Sequence, residues 1–528
     1  MEIFLCVTFG NCFGGIMSQI TISNLTFSYE GSFENVFEDV NLILDSSWKL
    51  GLIGRNGKGK TTLLKLLSGE LSGYCGNINI KLQTMYFPYD IPTNKQNEPF
   101  ISIYEDIDSN IEEWKIFAEL NKLDIDIEVL YRPYNTLSHG ERTKVLLATL
   151  FAIDEAFLLI DEPTNHLDQE TRQVVKQYLA SKKGFILISH DRDLLDGVVD
   201  HILVFNRKTI EVQSGNFTSW YDNKKRNDAF AIAENKKHLG EISKLRKASE
   251  QTNRWATKNE NSKIGFDPIK EHERNISTRA YIGSKTKKLQ SQRMNIEKRI
   301  NREIERKENL LQDIEKIEKL KLTKLRPTKK VLMYFDDFSL KYNDAENPLF
   351  TNFKLEVKEG DRIAIDGRNG TGKSSLINFI LGSLGVSEVS SSYSRLISEG
   401  KCEITKDLII SYISQDTSHL KGDITNFCYE YGIDKSLFCS LLIKLDFEKD
   451  DFLKDIKDYS AGQKKKILIA KSLLTPAHIY IWDEPLNYLD IFSRVQVEDV
   501  VKDFDPTILF IEHDVKFKTT IANKIVTL

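Results

Sequence analysis

Residues 54–62 read GRNGKGKTT, and residues 367–375 read GRNGTGKSS. The first copy follows the apolar run LGLI and precedes the helical pattern LLKLL. Glycines at this spacing let backbone N–H groups approach a phosphate, and the helix that follows points its N-terminus at the negative charge. Because the stretch occurs twice, the chain is predicted to hold two α/β domains of one design.

Three further features repeat behind each glycine-rich stretch, in the same order along the chain. They are LSHGE at 137–141 and YSAGQ at 459–463, LIDEPTNHLD at 159–168 and IWDEPLNYLD at 481–490, and a histidine that ends an apolar run, His190 and His513. In both halves the serine of the first motif stands 23 positions before the first aspartate of the second motif. Four motifs in one order and at matching distances favour a duplicated domain.

The repeats indicate the domain boundaries. We predict one α/β domain at 17–220, a second at 331–528, and a connecting segment at 221–330. Residues 1–16 are apolar and contain no Lys or Arg, so they do not have the pattern of a secretory signal. We expect Met17, which opens an alternating strand pattern, to be the functional start and residues 1–16 to be a non-functional extension.

The composition is typical of a globular protein with several domains. The chain has 528 residues, of which 41% are hydrophobic and 28% are charged. It contains no run of about 18 apolar residues that could span a membrane. Its six cysteines show neither a CxxC pair nor metal-ligand spacing, which indicates reduced cysteines in a cytoplasmic protein.

The connecting segment differs from the two domains in charge and periodicity. Residues 224–330 hold 30 Lys and Arg against 15 Asp and Glu, a net of +15 in a chain whose formal net charge is −4. Isoleucine and leucine recur at helical spacing on both sides of an interruption around Pro268. We predict two long helices that form an antiparallel coiled coil, with an irregular tip at 255–285. The five bases and no acid of 279–293 favour contact with RNA phosphates over a merely solvated helix face.

The two glycine-rich stretches, called P-loops below, predict where ATP and Mg²⁺ bind. The lysine of each P-loop would contact the β- and γ-phosphates, and the hydroxyl residue after it would bind Mg²⁺. In the first domain the residues assigned to ATP are Tyr29, Gly54, Arg55, Asn56, Gly57, Lys58, Gly59, Lys60, Thr61, Thr62, Ser138, Gly140 and Glu141. In the second domain they are Tyr342, Gly367, Arg368, Asn369, Gly370, Thr371, Gly372, Lys373, Ser374, Ser375, Gln415, Ser460, Gly462 and Gln463.

The acidic motifs predict the chemistry of these sites. Asp161 and Asp483 end apolar runs typical of buried parallel strands and are expected to hold Mg²⁺. The glutamate after each would orient or deprotonate the attacking water, and the histidine of each half would contact the γ-phosphate. The predicted metal ligands are Thr61, Asp161, Ser374, Gln415 and Asp483, and the predicted catalytic residues are Glu162, Glu484, His190 and His513. The first domain has Tyr89 where the second has Gln415, so the two sites need not be equivalent.

Two pairs of residues have a structural interpretation beside the functional one. Ser138 and Ser460 can cap the helices that follow them, and a cap is compatible with a phosphate contact at the same helix N-terminus. Tyr29 and Tyr342 stand 31 residues before their P-loop lysines, where they could stack on adenine or pack in a core. The repeated spacing favours stacking.

The chain resembles the ATP-binding cassette family over nearly its whole length. The resemblance rests on four motifs in order: the P-loop, LSxGE/Q, DEP-x-N-x-LD and a final histidine. The resemblance implies an ATPase with two domains that face each other head to tail. Each ATP would then lie between the P-loop of one domain and the serine motif of the other. Lys60 would share a site with Ser460, and Lys373 would share a site with Ser138.

Two such domains with a basic helical linker resemble the ABC-F subfamily, and within it the antibiotic-resistance ribosomal protection proteins of the Vga/Lsa type. The stretches that carry this resemblance are IYIWDEPLNYLDIFSR, YSAGQKKKILIAKSLL, GNFTSWYDNKKR and YIGSKTKKLQ. The resemblance implies a monomer that enters the tRNA exit site of the 70S ribosome and contacts rRNA and peptidyl-tRNA. The linker tip would displace antibiotics from the peptidyl-transferase centre, with lincosamides, pleuromutilins and streptogramin A as the implied drugs.

Three other functions fit parts of the pattern. A translation factor of the same subfamily without a resistance role is disfavoured by the long linker and by the spacing of only 78 residues between Lys60 and Ser138. The ATPase subunit of a transporter would not need a basic helical linker. A DNA-repair ATPase with fused domains would be expected to carry zinc-binding cysteines, and the cysteines are not arranged that way.

Overall fold

The computed structural model describes residues 19–31, 35–165, 167–206, 209–261, 294, 298–300, 302, 320–368, 370–386 and 393–528. The chain divides into two compact units, one of Met1–Trp220 with Ile317–Leu528 and one of Tyr221–Lys316. Both α/β domains therefore belong to the same unit. The extension predicted at 1–16 and the basic stretch at 279–293 lie outside the described residues.

The first domain combines a mostly parallel sheet with a smaller antiparallel sheet. Its elements are β1 (Gln19–Phe27), β2 (Phe37–Asp45), β3 (Lys49–Gly54), α1 (Lys60–Ser68), β4 (Cys75–Asn79), β5 (Gln83–Phe87), α2 (Tyr104–Ile107), α3 (Glu113–Lys122), α4 (His139–Ala152), β6 (Ala156–Asp161), α5 (Gln169–Ser181), β7 (Phe185–Ile188), α6 (Arg192–Val198), β8 (His201–Phe205) and β9 (Ile210–Ser214). The large sheet has the order β5–β6–β7–β3–β8–β9, and the small one has the order β2–β1–β4. β8 and β9 pair antiparallel, while the other neighbours in the large sheet pair parallel.

The second domain repeats this plan. After the long helix α7 (Phe217–Asn261), its elements are β10 (Val331–Tyr342), β11 (Phe350–Lys358), β12 (Arg362–Asp366), α8 (Lys373–Ser383), β13 (Leu396–Ile404), β14 (Ile410–Ile413), α9 (Ile424–Glu430), α10 (Lys435–Lys444), α11 (Ala461–Leu474), β15 (Ile479–Asp483), α12 (Ile491–Phe504), β16 (Ile508–Ile511), α13 (Val515–Ile521) and β17 (Lys524–Thr527). The parallel sheet has the order β14–β15–β16–β12–β17, which matches β5–β6–β7–β3–β8 strand for strand. The predicted tandem of two α/β domains is confirmed.

The apolar runs become central strands because packing covers both of their faces. Four of the six residues of β6 and all five residues of β15 are buried. β7 and β16 are buried along their whole length. Since parallel strands end at the same edge of a sheet, the acidic motif after β6 or β15 lies beside the histidine after β7 or β16. The P-loop joins them there, because β3 lies between β7 and β8.

The first of the two predicted linker helices is present as α7, which has 45 residues. At 1.5 Å per residue this helix is roughly 67 Å long. Of the second predicted linker helix the structure describes only residues 294, 298–300 and 302, which are helical. Most of the tip predicted at 255–285 lies outside the described residues, so the antiparallel coiled coil stays a prediction. Among the described residues, no helix has the length and apolar composition needed to cross a bilayer.

Candidate nucleotide-binding sites

Each P-loop folds around its own lysine. The Nζ atom of Lys60 donates to the carbonyls of Gly54 and Arg55, both at 2.9 Å. Lys373 makes the same two bonds, to the carbonyls that open its own P-loop, at 2.7 and 2.8 Å. Burial lowers the pKa of both lysines. Their ammonium groups therefore lie inside the loop, where phosphate oxygens can replace the carbonyls as acceptors.

The last glycine of each P-loop starts the helix that follows. Gly59 and Gly372 have φ angles of +87° and +95°, in the left-handed region that favours glycine. A Cβ atom on Gly59 would lie 2.6 Å from Cγ1 of Val36. Both the backbone conformation and the close neighbour explain why this position in GRNGKGKTT is glycine.

A hydroxyl group and a carboxylate meet at the sheet edge in both domains. Thr61 Oγ1 donates to Asp161 Oδ2 at 2.7 Å, and the side chain of Ser374 is hydrogen-bonded to Asp483. Oδ1 of Asp483 is buried and accepts no hydrogen bond from any described residue. A buried carboxylate oxygen beside a hydroxyl is a ligand that hard cations prefer. These residues fit Mg²⁺.

Tyr86, which belongs to none of the repeated motifs, is part of the same cluster. Its hydroxyl donates to Asp161 Oδ2 at 3.1 Å. Burial, together with the charge of Asp161, raises the pKa of Tyr86 and keeps it a donor. Tyr86 stands three residues before Tyr89, as Tyr412 stands before Gln415, so the repeated spacing was the available signal.

The two glutamates after these strands have an uncommon backbone conformation. The φ angle is +50° at Glu162 and +48° at Glu484. Their backbone N–H groups donate to the ends of the neighbouring strands, at Ile188 O (2.9 Å) and Ile511 O (3.0 Å). A left-handed residue other than glycine costs on the order of 1–3 kcal/mol and persists where its surroundings fix it, often at a functional site. The matched conformations support the predicted role of both side chains.

The histidines lie beside these glutamates. Nε2 of His190 is 3.3 Å from Oε1 of Glu162, and Nε2 of His513 is 3.5 Å from Oε1 of Glu484. Burial, followed by the positive charge of Lys60, lowers the pKa of His190 well below its usual value, so its ring is neutral. The four residues predicted as catalytic are therefore brought together as two histidine–glutamate pairs.

The two glutamates differ in their electrostatic surroundings. Burial next to the Asp161 carboxylate raises the pKa of Glu162 to about 8. Burial acts on Glu484 as well, but the hydrogen bond and charge of His513, followed by the charge of Lys465 and the hydrogen bond from Gln415, outweigh it and lower the pKa of Glu484. Glu484 therefore ionises more readily than Glu162.

The serine motifs form matched helix caps, and the predicted capping role is confirmed. Oγ of Ser138 accepts from the backbone of Glu141 at 3.2 Å, and the Glu141 carboxylate accepts from Ser138 N at 2.7 Å. Ser460 and Gln463 form the same reciprocal box. Glu141 and Gln463, which the sequence assigned to ATP, therefore use their side chains to fix the N-termini of α4 and α11.

The two predicted adenine-stacking tyrosines lie next to their P-loop helices. The hydroxyl of Tyr29 is 2.8 Å from Oγ1 of Thr62, and the hydroxyl of Tyr342 is 2.8 Å from Oγ of Ser375. Tyr29 is 46% exposed and Tyr342 is 39% exposed, so neither ring is a core residue. An exposed aromatic ring beside a P-loop is available to a base.

We call the residues around Lys60, Asp161 and Glu162 site A, and those around Lys373, Asp483 and Glu484 site B. Site A faces the second domain. The side-chain amide of Asn56 donates to Tyr488 O at 3.1 Å. Its Nδ2 atom also lies next to Gly462 of the serine motif, 3.5 Å from the place that a Cβ atom on this glycine would take.

Two ion pairs extend the same contact between the domains. Nη1 of Arg55 is 2.6 Å from Asp446, and Nζ of Lys58 is 3.0 Å from Glu448. The arrangement of the first P-loop against the serine motif of the second domain, which the family resemblance implied, is therefore present in the structure.

Site B is also close to the other domain. Nη2 of Arg368 donates to Glu170 at 2.8 Å, just behind the end of LIDEPTNHLD. Within the same P-loop, Oγ1 of Thr371 donates to Arg368 O at 3.0 Å, while Asn369 lies outside the described residues. Nε2 of Gln415 donates to Glu484 at 2.9 Å, so its amide oxygen is the atom through which it could bind a cation.

Comparison with known families supports this assignment of the motifs. The ABC transporter family matches residues 37–165 and 350–487. Each match contains one P-loop, one serine motif and the DEP sequence of one acidic motif.

Several curated proteins are similar over most of this chain. The ribosome protection protein VmlR of Bacillus subtilis (strain 168) is 27% identical over 517 residues, which cover 96% of this chain and 86% of that protein. The ATP-binding protein Uup of Buchnera aphidicola subsp. Acyrthosiphon pisum is 29% identical over 539 residues, with coverages of 96% and 80%. ABC transporter F family member 2 of Arabidopsis thaliana is 24% identical over 580 residues, with coverages of 97% and 76%.

Among solved structures, the complex of archaeal ribosomal stalk protein aP1 and archaeal ribosome recycling factor aABCE1 has a similar fold. Its TM-score is 0.56 at 19% identity, with 91% of this chain and 83% of that chain covered. At this identity the likeness shows the tandem arrangement of the fold.

Proposed function

Because this chain belongs to the ABC-F family of ATP-binding cassette proteins, we propose that it is an ATPase that binds ribosomes and protects them from antibiotics. The ATP-binding domains of this family are ATPases, so the chain hydrolyses ATP to ADP and phosphate. As a cytoplasmic monomer it would enter the tRNA exit site of the 70S ribosome. Its linker tip would act on rRNA and peptidyl-tRNA and release a lincosamide, pleuromutilin or streptogramin A from the peptidyl-transferase centre.

The contact between Asn56 and the Tyr488–Gly462 region carries the ATP-driven part of this proposal. A nucleotide held by the first P-loop would lie against the serine motif of the second domain, whose helix N-terminus favours negative charge. Binding of ATP would then stabilise the closed pair of domains. Hydrolysis would weaken it, because the γ-phosphate that joins the two surfaces leaves.

The residues of sites A and B divide the chemistry among them. Mg²⁺, which Thr61 with Asp161 and Ser374 with Asp483 would hold, supplies positive charge to the β- and γ-phosphates when bound. Each P-loop lysine would exchange its carbonyl partners for phosphate oxygens. Glu484, ionised and held beside His513, is suited to orient the attacking water and accept its proton.

The linker supports RNA as the partner. Residues 224–330 carry a net charge of +15, so the rest of the chain carries −19. Basic residues release counterions from nucleic acid phosphates, whereas acidic domains resist non-specific contact with RNA. The similar protein VmlR is itself named as a ribosome protection protein. A long, basic helix such as α7 is a suitable element for reaching into a ribosomal site.

Ribosome trapping tests the proposal directly. The double substitution Glu162→Gln with Glu484→Gln removes both carboxylates next to the reacting phosphate but leaves the P-loops intact. We expect the variant to bind ATP, to lose turnover at least a hundredfold, and to sediment with 70S ribosomes when ATP is present. The same variant with ADP is the control. If the variant does not sediment together with 70S ribosomes when ATP is present, the proposed ribosome binding is contradicted.

Drug susceptibility distinguishes resistance from a general translation role. A host that expresses the chain should tolerate higher concentrations of a lincosamide, a pleuromutilin or streptogramin A than the same host with Lys60→Ala and Lys373→Ala. Ribosome trapping without any change in susceptibility would instead support a translation factor that has no resistance role.

A further inference from the structure

The two domains differ at two buried positions that lie beside the catalytic carboxylates. Five residues after the serine of the serine motif, the first domain has Thr143 and the second has Lys465. Immediately before the histidine, the first domain has Ser189 and the second has Glu512. At these two positions the first domain therefore has uncharged residues, and the second domain has a lysine and a glutamate.

Lys465 connects two strand ends of site B. Its side chain is 1% exposed, although it belongs to the run KKK in α11. Nζ donates to Ser414 O at 2.8 Å and to Asp483 O at 3.4 Å. Ser414 is followed by Gln415 and Asp483 is followed by Glu484, so the lysine fixes the two backbone segments that carry these side chains.

Glu512 fixes the opposite side of the same site and is 3% exposed. Its Oε1 accepts from Leu486 N at 2.7 Å, and its Oε2 accepts from His513 N at 3.0 Å. Leu486 lies two residues after Glu484. The carboxylate therefore joins the loop behind Glu484 to the histidine that faces it.

Glu484 itself is held by neighbours on the two fixed segments. Its Oε2 accepts from Gln415 at 2.9 Å and from Asn487 at 2.6 Å. In site A the amide donor of Gln415 has no counterpart, because Tyr89 stands there. Oε1 of Glu162 accepts no hydrogen bond from the described residues, and its Oε2 receives only a long bond of 3.4 Å from His190 N among them.

We propose that Lys465 and Glu512 are positioning residues that orient Glu484 for hydrolysis and make site B the faster of the two ATP sites. This inference rests on the proposed roles of the two sites, but not on the ribosome as partner. The positive charge of Lys465 is offset in the interior first by Asp483 and then by Glu512, whereas Arg494 is the positive neighbour that acts most strongly on Glu512. A buried pair that fixes two loops stabilises one orientation of the carboxylate between them, which is the condition for efficient attack by water.

Replacing the pair with the residues of the first domain tests the inference. We expect Lys465→Thr with Glu512→Ser to slow hydrolysis at site B about tenfold while the KM for ATP and nucleotide affinity change less than twofold. In a single-turnover experiment with one ATP per site, phosphate release from the unchanged protein should have a fast and a slow phase of equal amplitude. The variant should slow only the fast phase. Lys464→Thr, at the partly exposed neighbour whose Nζ donates to Lys457 O, is the matched control and should leave both phases unchanged.

Other outcomes would overturn the inference. A single phase in the unchanged protein would show that the sites are equivalent, and a fast phase unaffected by the substitutions would remove the positioning role. Equal slowing of both phases would indicate a general structural role. Because the double variant could fold poorly, Lys465→Met with Glu512→Gln, which keeps side-chain volume, provides a second test against the same criteria. Phosphate release by Glu162→Gln with Glu484→Gln would instead refute the assigned catalytic roles.

Discussion

At the scale of single residues, sites A and B contain equivalent catalytic side chains, but the surroundings of these side chains differ. Glu162 and Glu484 have the same backbone conformation and the same histidine partner. Yet burial beside Asp161 raises the pKa of Glu162 to about 8, whereas the pKa of Glu484 is lowered. Identical motifs therefore do not imply identical reactivity, since reactivity depends on neighbours that the motifs do not contain.

Tyr29 offers a test of base recognition at this scale. Tyr29→Phe removes the hydroxyl bonded to Thr62 but keeps the ring, and Tyr29→Ala removes both. Stacking contributes about 1–3 kcal/mol per base, so we expect Tyr29→Ala to raise the Kd for ATP about tenfold and Tyr29→Phe to raise it less than twofold. Equilibrium binding of a fluorescent ATP analogue measures both values. Equal losses for the two variants would assign the effect to the hydroxyl instead of the ring.

At the scale of elements, helix N-termini combine a structural and a functional role. α4 and α11 both begin with a serine in a capping box. Such a cap leaves some of the first backbone N–H groups of the helix without an internal acceptor, and they are available to an anion. One serine can therefore stabilise its own domain and face the nucleotide of the other.

Substitutions at Ser138 separate these roles. Ser138→Ala should cost about 1 kcal/mol in the free energy of unfolding, because a cap is lost. Ser138→Asp keeps a capping side chain but brings a negative charge toward the phosphates of site B. We expect the aspartate variant to be as stable as the unchanged protein in thermal unfolding, with ATP turnover reduced at least tenfold.

Ser138→Thr, which retains the cap and neutrality, is the control for this comparison. Full turnover by the aspartate variant would mean that the serine motif of the first domain does not face a phosphate.

At the scale of the whole molecule, contacts between the two domains are themselves asymmetric. Nη2 of Arg192, in α6 of the first domain, lies 2.7 Å from Glu498 in α12 of the second and 3.9 Å from Asp514. All three side chains are buried. Val515 occupies the position in the second domain that corresponds to Arg192. The second domain therefore supplies no arginine equivalent to Arg192 to this contact between the domains.

The strength of this ion pair can be measured by unfolding. Arg192→Leu leaves Glu498 and Asp514 buried without this cation, and breaking such a pair costs roughly 3–5 kcal/mol. We expect a clear fall in the thermal unfolding midpoint, and partial recovery in Arg192→Leu with Glu498→Leu. Lys516→Ala, which removes a partly exposed pair with Asp196 at 3.8 Å, should change stability by less than about 1 kcal/mol. An unfolding midpoint unchanged by Arg192→Leu would contradict a stabilising role.

The duplicated fold could be predicted from local sequence patterns, and the same patterns brought together the residues proposed for each site. Glycine spacing, apolar runs that end in acids, and capping serines are local patterns, so GRNGKGKTT at 54–62 and its copy at 367–375 could be placed without coordinates. The contact of Asn56 with Tyr488 is visible only in the three-dimensional structure, because no local pattern relates residues so far apart. The same is true of Lys465, whose buried side chain joins the ends of two strands. In the sequence Lys465 is one of three adjacent lysines with the pattern of an exposed helix face, and only packing shows that Lys465 and Lys466 are buried while Lys464 is partly exposed.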